Sequence, residues 1–180
     1  ERTEELLNEI SEHKNARHRI SILADDLSSS NKKLKKLSLT DSHTGLYNHR
    51  YLGEVIEAEF HRARRFAHHL AIIMLDIDYF KSINDVYGHQ FGDLVLKQFA
   101  GELKKIVRRY DIVIRFGGEE FLVISPGIDR QQVFALSQRI LEDFNIHNFG
   151  NKKHAIKLKI SIGAVSYPED NASSGMDLVN

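Results

Sequence analysis

The sequence predicts an α+β fold on the ferredoxin-like β-α-β-β-α-β plan, preceded by a long helical stalk. Three observations carry this. Residues 1–39 contain no Gly, Pro or aromatic residue, and their apolar positions recur at alternating spacings of three and four. From Thr40 onward, apolar runs of strand length alternate with segments of helical period. Between two of those runs stands the pair Gly117-Gly118, the composition of a tight hairpin turn.

In the stalk, a d series of Leu6, His13, Ile20, Leu27 and Leu34 runs beside an a series of Thr3, Ile10, Arg17, Ala24 and Asn31. That is a polar coiled-coil seam. A solvated amphipathic helix fits the pattern as well, but a helix this long is marginal without a partner. The stalk ends near Leu37, and the globular domain takes up residues 40–180. Residues 48–65 suit a helix with Leu52, Val55, Ile56, Phe60 and Ala63 on one face. Residues 70–75, Leu-Ala-Ile-Ile-Met-Leu, read as a strand apolar on both faces. Residues 92–109 suit a second helix, with Val95, Leu96, Phe99 and Leu103 inward. Residues 112–116 and 121–125 flank the glycine pair as two strands, the glycines supplying positive φ. Residues 131–144 form a third helix, and Ile156, Leu158, Ile160 and Ile162 alternate with Lys157, Lys159 and Ser161 as a final strand with one wet face. Strand, helix, hairpin, helix, strand is the split βαβ arrangement.

The bulk numbers bound the function. At 180 residues the chain holds one ordinary domain plus something extended. Lys and Arg together number 25, as do Asp and Glu, so no basic field points to nucleic acid. Cysteine is absent, which removes disulfides, thiolate metal sites and a thiol nucleophile. No apolar run approaches the ~20 residues that cross a bilayer. The chain opens on Glu1, without a signal peptide, and reads as a piece of a longer protein.

Acidic clusters interrupt the apolar strands. Asp76 and Asp78 follow the first strand, and Glu119 and Glu120 sit at the hairpin turn. On this plan the first strand lies beside the first strand of the hairpin, so the carboxylates converge. Converging carboxylates repel unless a cation neutralises them, and hard oxygen ligands with open positions suit Mg²⁺. For Asp78 taken alone, simple solvation is the better reading. Downstream, Lys81, Asn84, Asp85, His89 and Asp93 crowd into one loop and helix start. Lysine offers a point charge for phosphate, and Asn with Asp offers the donors and acceptors that a guanine edge requires. Asp93 also suits the start of a helix, where it favours the dipole, and a lone His89 is most often a surface histidine.

These residues form ordered motifs. Asp76-Ile-Asp-Tyr-Phe-Lys-Ser-Ile-Asn-Asp-Val-Tyr-Gly-His-Gln-Phe-Gly-Asp93 precedes Arg115-Phe-Gly-Gly-Glu-Glu-Phe121, with Thr40-Asp-Ser-His-Thr-Gly-Leu-Tyr-Asn-His-Arg50 before them and Ser161-Ile-Gly163 after. Together they resemble the GGDEF family of diguanylate cyclases, in its GGEEF form, over residues 38–170. The resemblance implies a palm-type nucleotide cyclase that condenses two GTP into cyclic di-GMP as a homodimer. It implies Mg²⁺, with Mn²⁺ as a substitute, held by Asp76, Glu119 and the Ile77 carbonyl. Glu119 is also the family's proposed base for the ribose 3′-hydroxyl, although a metal-bound carboxylate is a weak base and the metal itself can acidify that hydroxyl. Glu120 supports the same site. Lys81 stabilises charge on the phosphates with help from Arg115. Asn84, His89 and Asp93 bind substrate, Asn84 and Asp93 through guanine, and an Asp at position 93 favours GTP over ATP.

Arg108-Arg-Tyr-Asp111 matches the family's inhibitory RxxD motif, in which Arg108, Asp111 and Arg139 hold product. The residues alone read equally as a helix end, with arginines on the dipole and Asp111 opening a turn. The resemblance further implies a cytoplasmic domain under an upstream sensor, in a parent that is soluble or membrane-anchored, and a stalk that holds two domains face to face. His43 stands where the family usually has Leu, and His49 where it has the first of two arginines. The family continues past residue 180 into a final helix and strand with basic residues, which this chain is expected to lack. The alternative is a cyclic di-GMP-binding or dimerisation module that has lost turnover. The intact Asp76, Lys81, Asn84, Asp93, Glu119 and Glu120 speak against it.

Overall fold

The computed structural model describes residues 2, 14, 17–28, 30 and 38–179. By internal contacts the chain divides into residues 1–38 and 39–180. In the first unit, residues 17–28 are helical and exposed throughout. Of the heptad positions, Arg17, Ile20, Ala24 and Leu27 fall here, with the d residues Ile20 and Leu27 bare to solvent. Thr3, Leu6, Ile10, His13, Asn31 and Leu34 lie outside the described residues.

The second unit begins with a short strand, β1 (Tyr47–Asn48), leading into helix α1 (His49–Phe66). The Asn48 side chain accepts from the amides of Arg50 and Tyr51, and Ala67 closes the helix in the left-handed region at φ 51°. Its buried face carries the apolar residues that periodicity selected, together with Glu59. Strand β2 (Leu70–Ile77) follows, then α2 (Phe80–Tyr87) and α3 (His89–Ile106). The stretch expected as a loop before residue 92 is therefore helical. Gly88, at φ 85°, breaks the chain between the two helices and starts the second one earlier than expected. Strands β3 (Ile112–Gly117) and β4 (Glu120–Pro126) form the hairpin. Helix α4 (Arg130–Ile146) opens on a capping box between Asp129 and Gln132. A small hairpin, β5 (Phe149–Gly150) and β6 (Ala155–Ile156), precedes β7 (Ile160–Tyr167), and a 3₁₀ turn (Met176–Leu178) follows.

Two further local expectations need correction. The alternating run from Ile156 to Ile162 is not one strand: Ile156 belongs to the small hairpin and Ile160 opens β7. Alternation records which face a side chain takes, not which sheet the backbone joins. The turn glycines also differ, since Gly117 and Gly118 do not adopt positive φ. The register instead slips between Arg115 and Gly117, a bulge that reshapes the turn.

The main sheet runs β1-β3-β4-β2-β7. Strands β2, β3, β4 and β7 carry the ferredoxin-like plan, and β1 adds a parallel edge beside β3. The first long strand, β2, pairs antiparallel with β4 and β7 and not with the hairpin's first strand. A crossover that skips one position leaves room for β4 to return between β2 and β3. Two apolar layers clamp the sheet. Ala71, Ile73, Leu75 and Ile77 face α3 and α4, with Phe99, Phe121 and Phe144 among their neighbours. Leu70 and Ile72, with Ile114, Leu122 and Ile124, face α1. Alternate residues of one strand thus serve both layers, which explains its continuous apolarity.

Candidate active site

The apolar run of β2 ends by delivering Asp76 between two strands, opposite Glu120 of β4 and Ser161 of β7. Burial raises the Asp76 carboxyl above its ordinary value, and repulsion from Glu119, Glu120 and Asp78 raises it further. The hairpin turn is tied to the end of β2, because the Ile77 amide donates to the Glu119 carbonyl at 3.3 Å. Glu119 therefore stands beside Asp76 through backbone geometry, although the neighbouring strand is not the expected one. Asp78 is engaged elsewhere: it accepts from the Ser161 hydroxyl at 2.7 Å, and its amide donates to the Lys159 carbonyl at 2.9 Å.

Arg115 secures the turn from the other side. Its Nε and Nη2 donate to the Gly118 carbonyl at 3.1 and 2.8 Å, and its Nη1 donates to both oxygens of Asp41 at 3.1 Å. Asp41 also accepts from the Thr44 amide and hydroxyl, at 2.8 and 2.7 Å. Burial alone would raise this carboxyl, but the Thr44 bonds and the Arg115 guanidinium outweigh it and hold Asp41 below its ordinary value. The motif reading assigned Asp41 no role. An Asp three residues ahead of Thr, before Gly, is the signal of an Asx turn that pointed to it.

Beside the turn lies a cleft of about 350 Å³. Lys81 and Asn84 reach it from α2, His89 and Asp93 from the first turns of α3, and Arg115 and Glu119 from the hairpin. Asn84 is half-buried because α3 packs against it: a Cβ on Gly92 would meet Asn84 Oδ1 at 1.9 Å. Asp93 also faces His43, with Nδ1 to Oδ1 at 3.6 Å. Asp76, Ile77 and Glu120 line the adjoining strand ends and not the cleft wall.

Among the described residues, no group of three or more acidic or histidine side chains forms a ready metal cage. Asp76 and Glu119 with backbone oxygen nevertheless suit Mg²⁺, which is commonly held by one or two carboxylates plus substrate phosphates. The unrelieved repulsion at Asp76 is what a bound cation would remove.

A second, smaller cavity of about 170 Å³ is lined by Arg108 and Arg139 together with Ile128, Gln132, Ala135 and Leu136. Asp111 accepts from the Arg108 amide at 2.7 Å, and Arg139 Nη2 donates to the Ile106 carbonyl at 2.8 Å. Helix α3 ends here.

The sequence profile of the family described as "Diguanylate cyclase, GGDEF domain" matches residues 38–180. The chain belongs to the GGDEF family. This GGDEF domain is similar to the bifunctional diguanylate cyclase/cyclic di-GMP phosphodiesterase MucR of Pseudomonas aeruginosa, at 30% identity over 90% of this chain and 24% of the relative. It is 37% identical to the diguanylate cyclase DgcP of the same organism, over 79% of this chain and 21% of the relative. The chain therefore spans about a quarter or less of the length of these relatives. Its fold superposes on the crystal structure of the coiled coil and GGDEF domain of DgcB from Caulobacter crescentus with a TM-score of 0.82, at 22% identity, covering 92% of this chain and 87% of that one. The α+β architecture is thus that of a GGDEF domain.

Proposed function

We propose that this chain, within its parent protein, condenses two GTP into cyclic di-GMP and two pyrophosphates. The observation that carries this reading is the mutual repulsion of the Asp76 and Glu119 carboxylates next to a cleft lined by Lys81, Asn84, Asp93 and Glu119. Guanine enters between Asn84 and Asp93, whose polar atoms complement its donors and acceptors. His89 contributes to the same wall. Lys81 faces the phosphates, where charge grows in the transition state. Asp76, Glu119 and the Ile77 carbonyl hold Mg²⁺, or Mn²⁺ in its place, and Glu120 supports them from the next strand position. When bound, the cation neutralises phosphate charge and acidifies the ribose hydroxyl. Arg115 acts through the turn that it fastens, holding Glu119 in place.

The reaction forms a bond from the 3′-oxygen of one GTP to the α-phosphorus of the other. It breaks the bond to the β-phosphate, and the hydroxyl proton passes to Glu119 or to solvent. Each domain holds one GTP, so two copies face each other. The bare d residues Ile20 and Leu27, seven positions apart, support pairing through the stalk. Arg108 and Arg139, lining a cavity apart from the cleft, support product binding there with Asp111. An upstream sensor region and a cytoplasmic setting complete the reading. Among the described residues no helix is long and apolar enough to cross a membrane.

The test is to incubate the parent protein with GTP and Mg²⁺ and separate the products. Cyclic di-GMP and pyrophosphate should appear, and Glu119→Ala should lower the rate by about 10²-fold or more. Arg108→Ala should straighten a progress curve that product otherwise bends. A wild-type protein that binds cyclic di-GMP but makes none would replace this reading with a receptor.

A further inference from the structure

His43 sits on a turn fastened at several points. The Asp41 amide donates to the Leu46 carbonyl at 2.8 Å and the Gly45 amide to the Asp41 carbonyl at 2.9 Å, closing the loop on itself. Thr44 and Arg115 hold the Asp41 side chain, and Lys104 Nζ, from α3, donates to the Gly45 carbonyl at 3.3 Å. The position of His43 is therefore set by the fold and not by its own side chain. That position brings Nδ1 to 3.6 Å from Asp93 Oδ1, with the two side chains 52% and 50% exposed, at the mouth of the cleft.

We propose that His43 is a positioning residue for Asp93 and that its charge state sets how well the cleft holds guanine. This rests on reading the cleft as the GTP site. Guanine presents two N–H donors side by side, and a carboxylate meets them best with both oxygens free. Neutral His43 leaves both Asp93 oxygens to the base. Protonated His43 draws Oδ1 toward itself and competes with the base for it. By linkage, binding guanine and protonating His43 oppose each other, so affinity falls as His43 takes up a proton. The charged groups around His43 leave Asp93 as its acidic partner. Asp41 is occupied by Thr44 and Arg115, Arg115 is turned to Asp41 and Gly118, and Lys104 is turned to the Gly45 carbonyl. On α3, Lys97 lies one turn beyond Asp93 and is exposed. His89 also lines the cleft, so the experiment has to separate the two histidines.

The experiment measures binding of a non-hydrolysable GTP analogue to the parent protein by calorimetry, from about pH 8 down to about pH 5.5. Wild type, His43→Leu and His43→Gln are compared. The expected result is a wild-type Kd that rises about threefold across the range, the size of an exposed ion pair. Both variants should show a flat profile near the wild-type value at high pH, and in turnover the wild-type change should appear in KM and not in kcat. A flat wild-type profile overturns the proposal, as does a step that survives in both variants, which would assign it to His89. Failure of the analogue to bind at any pH would instead overturn the GTP reading itself, and this inference with it.

Discussion

Arg115 illustrates how one side chain joins two distant pieces of sequence. It ties the opening turn at Asp41 to the hairpin turn at Gly118, with both partners of the ion pair mostly shielded from water. Asp41→Ala would leave that guanidinium half-partnered and cost about 2 kcal/mol, seen as a lower midpoint in denaturant titration at neutral pH. The pH dependence has a definite sign. Asp41 is held below 3.8 in the folded protein, so its contribution is complete above the unfolded value and fades as pH falls through the depressed one. The gap between wild type and variant should close in acid, below about pH 3.8. Asp76 is the opposite case. Its carboxyl is raised, so the charged form opposes folding, and that penalty sets in as pH rises above 3.8 through the raised value. In chelator at neutral pH, Asp76→Asn should melt higher than wild type. With Mg²⁺ and GTP analogue at a hundredfold excess over Kd, wild type should gain about 2.7 kcal/mol and the variant much less, measured by thermal unfolding.

At the scale of elements, the junction of α2 and α3 decides where the cleft-lining side chains point. Gly88 breaks the chain at φ 85°, and Gly92 lets α3 pass within contact of Asn84. Gly92→Ala would force Asn84 Oδ1 out of its place, since the new carbon would stand 1.9 Å from it. The expected outcome is a domain that still folds, by circular dichroism, with KM for GTP raised about tenfold or more. A variant with unchanged KM would show that Asn84 has another acceptable position. Both α1 and α4 were legible in sequence because each buries an amphipathic stripe over many turns. Helix α2 was not, since it has eight residues, buries only Phe80, and opens on Tyr79 in the left-handed region without a side-chain cap. Its form comes from packing on α3.

At the scale of the molecule, the sheet brings together residues far apart in the chain. The ends of β2 and the hairpin supply acids, and α2 with the start of α3 supplies the opposite wall. On the proposed reading one such cleft holds half of a symmetric reaction, so turnover should depend on a second copy. Removing residues 1–38 from the parent should make specific activity depend steeply on protein concentration, while the protein with its stalk keeps its activity on dilution. Equal dilution behaviour, followed by product assay and sedimentation, would show that the catalytic domains pair without the stalk.

By itself the sequence determined the α+β plan, the family and which stretches of chain carry the clustered acids and polar groups. These are local matters: hydrophobic period follows from one element, and motif spacing from one stretch of chain. Tertiary structure decided which strand Asp76 meets, Glu120's and not the expected neighbour's, because strand order depends on how the crossovers pass over the sheet. It also decided that Ile156 and Ile160 belong to different sheets, and that Arg115 grips Asp41 across 74 residues. Finally it set His43 against Asp93, a contact that no spacing announces, because the turn and the helix that meet there are brought together only by the packed sheet.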